Sequence, residues 1–287
     1  MRPTANGIVD THLHYWQWPR DAQSRAAAEA EARRSSAPIE EELPYEEVAA
    51  TIRHAGVEHA LQVTRTLSGY DNTYSVEGAR RLPDTFRVCG RLDPAGADLP
   101  GRLRAFTSDP TMVAVRLFWY SADDRWLSDG SMDAFWPEAE ALGLPVCVYA
   151  PRNVGALDGV AARYPGLRLI VDHLGADLFS PLGHRFDHWP EVCRLSRFEH
   201  VYMKVSALPE ATGERFPFPA AQERIKEVYD RFGPDRLLWG SNYPLTTRVC
   251  TYAEAIDLIR VGCDFLTAGD RAKVLGATAT SVFGLPW

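Results

Sequence analysis

The sequence predicts an α/β fold, a (β/α)8 (TIM) barrel that takes up residues 1–287 as a single domain. Two observations indicate this fold: short apolar runs alternate with helix patterns, and eight such pairs follow one another without a Pro- or Gly-rich linker. Strands covered by helices on both faces are apolar nearly throughout, and strand–helix alternation favours a parallel sheet. An open doubly wound sheet is the alternative, but its glycine-rich G-x-G-x-x-G turn does not occur in the sequence.

The elements follow from local residue patterns, taken in chain order. Ile8 and Val9 begin a buried strand after a turn, and seven further apolar runs predict strands at 60–64, 86–92, 112–118, 144–149, 167–173, 200–206 and 237–242. A helix begins at Pro44 and ends at Gly56, since Pro is favoured in a first turn and Gly after a last one. Further helix patterns cover 72–82, the region around Leu103, 133–142, 154–164, 189–195, 220–232, 252–261 and 270–277.

One segment does not belong to this alternation. Residues 20–43 separate the first strand from the helix at Pro44, and the Ala-rich stretch 21–34 mixes Glu and Arg and favours an exposed helix. We therefore expect a helical insertion over the end of the first strand. It is either a lid on the site or a plain solvated helix.

Composition argues against several classes of function. The net charge of −7 and the lack of a basic cluster argue against nucleic-acid binding. The five cysteines form no Cys-x-x-Cys pair, which argues against a zinc ribbon and a disulfide framework. Because the sequence has no apolar leader and no run of about 18 apolar residues, we expect a cytoplasmic protein without membrane contact. The composition is compatible with a homo-oligomer but does not decide the oligomeric state.

The first strand ends in two histidines. Side chains alternate between the two faces of a strand, so His12 and His14 point the same way. Two imidazoles on one face can share a metal ion, a water molecule or a substrate oxygen. The alternative is that both are polar residues that simply close the strand.

The other predicted strands also end in chemically capable residues, and the carboxyl ends of the strands are where a TIM barrel forms its active site. In chain order these residues are Gln62 and Thr64, Arg91 and Asp93, Arg116, Tyr149, Asp172 and His173, Lys204 and Ser206, and Asn242 and Tyr243. One such end can be a salt bridge or a cap, but eight converging ends indicate a site. Trp16, in the aromatic loop after the first strand, can wall an apolar pocket.

Four segments carry a family resemblance: Val-Asp-Thr-His-Leu-His at 9–14, Val-Asp-His-Leu-Gly at 171–175, Met-Lys-Val-Ser at 203–206 and Trp-Gly-Ser-Asn-Tyr-Pro at 239–244. They resemble the signatures of the amidohydrolase superfamily, a superfamily of metal-dependent hydrolases. More narrowly, they resemble its "amidohydrolase 2" branch, which contains 2-pyrone-4,6-dicarboxylate lactonase and L-fuconolactonase. The resemblance runs in register from about residue 7 to residue 285. It implies a barrel enzyme that acts on a small molecule.

Two departures from the family pattern bear on the metal. Metal-dependent members carry a histidine where this chain has Tyr149 and an aspartate where it has Asn242. His12, His14 and His173 can still hold a Zn²⁺, but the anionic ligand and one neutral ligand are missing. Metal-free lactonases of the branch also lack the strand-five histidine, so we favour a site without a metal or other cofactor.

Asn242 also stands where the lactonases of the branch have their general base. A carboxamide has no usable proton affinity near neutral pH, so a neutral imidazole of the histidine group becomes the expected base. Asn242 then orients the water or binds the substrate carbonyl. Alternatively, it only caps the turn before Pro244.

The resulting hypothesis assigns a role to each strand-end residue. Arg116 requires an anion, either a substrate carboxylate or an internal partner such as Asp93 or Asp172. Lys204 either stabilises a developing oxyanion or forms a salt bridge to Asp172. The expected catalytic group is His12, His14, His173, Asn242 and Lys204, and the expected substrate-binding group is Arg116, Tyr149, Thr64, Trp16, Ser206 and Tyr243.

The function predicted from these residues is a lactonase-like hydrolase that opens a small carboxylated cyclic ester by histidine-assisted attack of water. One alternative is non-hydrolytic chemistry on a small conjugated acid, such as decarboxylation, dehydration, isomerisation or cyclisation. Water is not the nucleophile in such a reaction, so loss of the water-activating aspartate is expected for it. A second alternative is a catalytically degenerate protein that binds a small molecule.

Overall fold

The computed structural model describes residues 7–18, 25–26, 29–30, 41–120 and 126–287. Strands and helices alternate along the chain, and the short helix α7 after β7 is an element that the sequence analysis did not predict. In order they are β1 (Val9–Leu13), α1 (Tyr45–His54), β2 (His59–Val63), α2 (Thr73–Arg81), β3 (Phe86–Arg91), α3 (Leu99–Ser108), β4 (Met112–Phe118), α4 (Phe135–Ala141), β5 (Val146–Tyr149), α5 (Leu157–Arg163), β6 (Leu169–Val171), α6 (Trp189–Arg194), β7 (Val201–Val205), α7 (Leu208–Thr212), α8 (Pro219–Phe232), β8 (Leu237–Trp239), α9 (Tyr252–Asp257), α10 (Ala268–Ala272) and α11 (Thr278–Phe283).

The eight strands form one sheet in the order β1 to β8, and consecutive strands pair in parallel. The ends of the sheet meet at β1 and β8. The backbone N–H of Asn242 donates to the carbonyl of His12 at 2.7 Å, and the N–H of His14 donates to the carbonyl of Tyr243 at 2.8 Å. The hydroxyl of Thr11 donates to the carbonyl of Trp239 at 2.7 Å. The predicted (β/α)8 barrel is therefore confirmed.

The barrel interior is layered because strand side chains alternate with a period of two. Ala114, Cys147 and Ile170 belong to an apolar cluster that also holds Leu61, Cys89 and Leu238 and packs against Val282 and Phe283 of α11. Two residues further along β4, β5 and the chain leaving β6, the same inner face carries Arg116, Tyr149 and Asp172. The interior thus changes from apolar to polar toward the carboxyl ends of the strands. A larger cluster of buried apolar residues fills the space between the strands and the helices.

Two strands end two or three residues earlier than the sequence analysis predicted. β6 ends at Val171 and is followed by a tight turn in which His173 has a φ of 55°. β8 ends at Trp239, and Asn242 has a φ of 64°. Left-handed backbone at a residue other than glycine costs about 1–2 kcal/mol and is found preferentially at functional sites. The chain leaves the sheet at these points, so both side chains are placed by turns rather than by strand pleating.

Most of the predicted helical insertion at 20–43 lies outside the described residues. Positions 25, 26, 29 and 30 are described and are helical. Within the described residues, none of the helices combines the length and the apolar character that a membrane crossing requires.

Candidate active site

A cavity of about 730 Å³ opens at the carboxyl ends of the strands. The residues that line it come from the strand ends and from the loops that follow them. They are His14, Arg65, Thr66, Leu67, Arg116, Phe118, Tyr120, Tyr149, Arg152, His173, Leu178, Phe179, Leu182, Arg185, Glu210, Gly213, Asn242, Leu245, Arg248 and Val249. A concave pocket with both apolar and polar walls at this end of a TIM barrel is where catalysis is expected.

Below the cavity, the carboxylate of Asp172 joins three side chains that come from different strands. Its Oδ2 accepts a hydrogen bond from Arg116 Nε at 3.0 Å, and its Oδ1 lies 3.1 Å from Lys204 Nζ and 3.7 Å from His12 Nδ1. Burial alone would raise the pKa of Asp172, but Lys204, His12 and Arg116 together hold it well below its usual value. Asp172 is therefore an ionised anchor for two cations.

Three imidazoles surround this anchor. The ring of His12 lies 5.1 Å from that of His14 and 4.5 Å from that of His173, measured between centroids. Nδ1 of His14 bonds to the carbonyl of Val63 at 2.7 Å, and Nδ1 of His173 bonds to Ser206 Oγ at 2.8 Å. Burial and the nearby cations lower the pKa of all three rings, that of His173 to about 3. All three are thus neutral at physiological pH.

The tautomer of the His14 ring follows from its partner. A carbonyl oxygen only accepts, so His14 carries its proton on Nδ1 and its Nε2 is a bare acceptor. Nδ1 of His12 faces both a donor, Lys204 Nζ at 3.5 Å, and an acceptor, Asp172 Oδ1 at 3.7 Å. Nε2 of His12 is buried and has no hydrogen-bond partner among the described residues.

Asn242 does more than close the turn after β8. Its backbone carbonyl accepts from the backbone N–H of Thr246 at 3.3 Å. Its side-chain Nδ2, however, donates to Oε1 of Glu210 at 3.0 Å. Burial raises the pKa of Glu210 to about 7, against the opposing effect of the hydrogen bond from Asn242. A carboxylate that titrates near neutrality therefore lies beside the carboxamide.

Comparison with known proteins shows which family the chain belongs to. The sequence profile of a family described as amidohydrolase matches residues 9–285. The chain belongs to this amidohydrolase family. It is 26% identical to an L-fucono-1,5-lactonase of Burkholderia ambifaria over 285 residues, which span 94% of this chain and 93% of that protein. The resemblance inferred from the four sequence segments is thereby confirmed.

Two solved structures share the fold of this amidohydrolase. An amidohydrolase of Burkholderia multivorans with bound Zn has a TM-score of 0.81 at 19% identity, covering 97% of this chain and 99% of that one. A candidate 2-pyrone-4,6-dicarboxylic acid hydrolase of Pseudomonas putida has a TM-score of 0.79 at 22% identity, covering 98% of both chains. At these identities the likeness shows the fold and leaves the chemistry to the residues of the site.

One group of described residues in this amidohydrolase could hold a metal ion. His12, Asp172 and His173 place ligand atoms within 4.8 Å of one another, so Asp172 takes the place that the sequence analysis gave to His14. The surrounding charges do not fit a divalent cation, because Asp172 already balances Arg116 and Lys204. No step proposed below involves a metal.

The structure brings together five of the sequence-predicted site residues in the cavity wall: His14, His173, Asn242, Arg116 and Tyr149. Three others lie beneath the wall: His12 and Ser206 contact His173 in the wall, and Lys204 contacts Asp172, which binds the wall residue Arg116. For Lys204, the salt bridge to Asp172 is the alternative that the structure shows. Roles for these residues in catalysis or binding stay predictions.

The remaining three predicted site residues do not line the cavity. The hydroxyl of Thr64 donates to Asn72 Oδ1 at 2.9 Å and lies 3.0 Å from Ser75 Oγ, which ties β2 to α2. Trp16 is buried behind Arg65, whose guanidinium lies 4.1 Å from the centre of its ring. The ring of Tyr243 packs edge-on against that of Tyr252 at 5.5 Å.

Sequence reasoning missed several residues of the wall because they follow the strands instead of ending them. Glu210 lies in α7, five residues after β7, and Arg152 follows β5 and pairs with Asp177 at 2.6 Å. Phe179 stacks near Tyr120, with ring centroids 5.0 Å apart. The βα-loops of a TIM barrel supply much of its site, so the lone acidic residue after Leu208-Pro209 was a usable signal.

Proposed function

We propose that this protein is a lactonase-type hydrolase that opens a small carboxylated cyclic ester by histidine-assisted attack of water. Membership of the amidohydrolase family and the L-fucono-1,5-lactonase relative support the reaction class. The carboxylate on the substrate and the part played by histidine rest on the geometry of the cavity.

The observation that carries the proposal is the placement of Arg116 beside two neutral imidazoles. Arg116 lines the cavity with His14 and His173, and its Nε is bonded to Asp172. Its terminal nitrogens form no hydrogen bond with any described residue, so they are available to a ligand. A guanidinium fixed by one carboxylate below can grip a second one above it, on the substrate.

The lining residues also supply the groups that ester hydrolysis requires. The bare Nε2 of His14 accepts a hydrogen bond from the attacking water and orients its lone pair toward the ester carbonyl. The hydroxyl of Tyr149 accepts from the N–H of Leu178 at 3.0 Å, which leaves its own proton to donate. Burial raises the pKa of Tyr149, so this proton is retained and can stabilise the developing oxyanion.

Non-hydrolytic chemistry was the alternative that the asparagine at position 242 suggested. The carboxylate of Glu210, 3.0 Å from Asn242, weakens that argument because a carboxylate is present at the end of β8 after all. Hydrolysis is therefore the function that this cavity supports best.

The proposal is tested with a panel of lactones assayed with and without a ring carboxylate. We expect the wild-type protein to open carboxylated lactones preferentially, and Arg116→Ala to raise KM for them by about 10- to 150-fold, the effect of losing a charged hydrogen-bonding partner. The KM for neutral lactones should rise much less. Arg116→Lys should restore only part of the affinity for carboxylated lactones, because a lysine ammonium cannot bind two oxygens side by side. Failure to open any lactone of the panel, or equal losses on both classes, contradicts the proposal.

A further inference from the structure

Glu210 presents a carboxylate at the point where β7 and β8 open into the cavity. Its Oε1 accepts the hydrogen bond from Asn242 Nδ2 at 3.0 Å. Its Oε2 is buried and has no hydrogen-bond partner of good geometry among the described residues, although the nearby Thr246 hydroxyl opposes the rise in the pKa of Glu210. A buried carboxylate oxygen without a donor costs free energy, so it requires an explanation beyond packing.

The position of Glu210 is fixed from several sides. Ala207, with a φ of 54°, turns the chain from β7 into α7, and Gly213, with a φ of 69°, ends that helix. The guanidinium of Arg185, from the segment after β6, donates to the backbone carbonyl of Glu210. These contacts fix the backbone of Glu210, and the hydrogen bond from Asn242 orients its side chain.

Among the described residues that line the cavity, Glu210 is the one carboxylate. Asp172, a carboxylate below the wall, is bound to Arg116 and Lys204 and is held ionised. The imidazoles are neutral rings whose pKa is lowered, which makes them good hydrogen-bond partners and weak proton acceptors. The proton of the attacking water therefore has a better acceptor than the histidines expected from the sequence.

The charges around Glu210 are compatible with a carboxylate that both takes up and releases a proton. Arg248, after β8, opposes the rise in its pKa, and Cys250 nearby has a pKa raised by burial to about 11. Arg185 faces the backbone carbonyl of Glu210. The pKa of Glu210 is about 7, so its carboxyl group changes protonation state near neutral pH. A general acid–base works best when its pKa is close to the working pH.

From this geometry we infer that Glu210 is the general base and then the general acid of the lactone hydrolysis, with Asn242 as the residue that positions its carboxylate. The inference rests on the function proposed above. Glu210 takes one proton from water as the water oxygen bonds to the ester carbon, which gives a tetrahedral intermediate. The ring C–O bond then breaks, and Glu210 returns the proton to the leaving alkoxide. The product is a hydroxy acid, which ionises in solution, and Glu210 ends as it began.

The test compares Glu210→Gln with Glu223→Gln, a control in which an exposed glutamate of α8 is changed. On a lactone that the wild type opens, we expect kcat to fall by about 10²- to 10⁴-fold in Glu210→Gln and to stay unchanged in the control. The wild-type kcat/KM should rise with pH through about 7, since the base must be ionised, and this limb should vanish in Glu210→Gln.

A second variant covers the case in which Glu210→Gln does not fold. Asn242→Gly removes the 3.0 Å hydrogen bond, and glycine accepts the positive φ at that position. That hydrogen bond favours the charged carboxylate, so its loss should move the acidic limb of the pH profile upward.

The outcomes separate this inference from the proposed function. A wild-type enzyme that opens lactones, together with a Glu210→Gln variant of near-normal rate and unchanged pH profile, overturns the role of Glu210 alone. An unshifted limb in Asn242→Gly overturns the positioning role of Asn242. A wild-type protein without any lactonase activity overturns the proposed function, and the inference with it.

Discussion

The ammonium of Lys204 lies 3.1 Å from Oδ1 of Asp172, and neither side chain is exposed to solvent. The same carboxylate binds the guanidinium of Arg116 at 3.0 Å. A buried carboxylate thus carries two cations, one of which reaches the cavity wall. This arrangement explains how Arg116, a residue of β4, is held rigid through its Nε while its terminal nitrogens can bind a ligand.

Lys204→Met should destabilise the protein strongly. Removal of one partner of a buried ion pair typically costs about 3–5 kcal/mol, although the remaining bond from Arg116 to Asp172 moderates this loss. Denaturant unfolding monitored by fluorescence measures the change. The matched control is Lys226→Met, which breaks an exposed pair with Asp230 and should cost less than about 1 kcal/mol. Equal effects of the two substitutions contradict the buried pair.

Glu210 should make stability depend on pH in a way that needs no activity assay. Its pKa is about 7 in the folded protein and 4.5 as a reference, so the native state binds more protons between these values. The wild type should therefore lose stability as pH rises from 4.5 to 7, with a slope of about 1.4 kcal/mol per pH unit from this group. The Glu210→Gln variant has no ionisable group at this position, so its stability does not fall for this reason. The unfolding free energy of the variant, relative to that of the wild type, should increase as pH rises to 7 and then level off. A difference that does not change with pH rules out the raised pKa of Glu210.

Asn242→Asp should shift the pH dependence of lactone hydrolysis upward. The new carboxylate would lie within hydrogen-bonding distance of Glu210, and two such groups cannot both ionise readily. The pair would share one proton near neutral pH, so the limb that depends on the base should move above 7. A pH–rate profile of the variant tests this, and a limb identical to that of the wild type argues that the two side chains do not interact.

Removal of metal should leave the activity intact. The charges of Arg116 and Lys204 leave Asp172 without capacity for a divalent cation, so we expect kcat/KM on a lactone to stay within about two-fold after dialysis against a chelator. Metal analysis of the untreated protein accompanies the assay. Chelator-sensitive turnover that returns with Zn²⁺ shows that His12, Asp172 and His173 bind the ion after all.

The fold could be predicted well from the sequence because its signal is local and repeated. Each strand is a short apolar run followed by a helix pattern, and strand periodicity alone places Arg116 and Tyr149 on the inner face of the barrel. The same strand periodicity places His14 in the cavity wall.

The parts that sequence reasoning missed depend on contacts made after the strands end. Thr64 has the right periodicity, but Asn72 and Ser75 of the following segment take its hydroxyl. Glu210 lies in a five-residue helix with no amphipathic signal, and tertiary contacts set its position. The tautomer of His14 could not be predicted from the sequence either, because the Val63 carbonyl determines it.

The junction of β1 and β8 has a consequence for the order in which the enzyme matures during synthesis. Asp10 accepts hydrogen bonds from the backbone N–H groups of His12 and Ser241, at 3.0 and 2.9 Å, and from the hydroxyl of Tyr252 at 2.9 Å. The strand end that carries His12 is thus held by an aspartate whose other partners are translated more than two hundred residues later. A nascent chain released before Tyr252 would contain all eight strands and still lack the hydroxyl that completes the hydrogen bonds of Asp10.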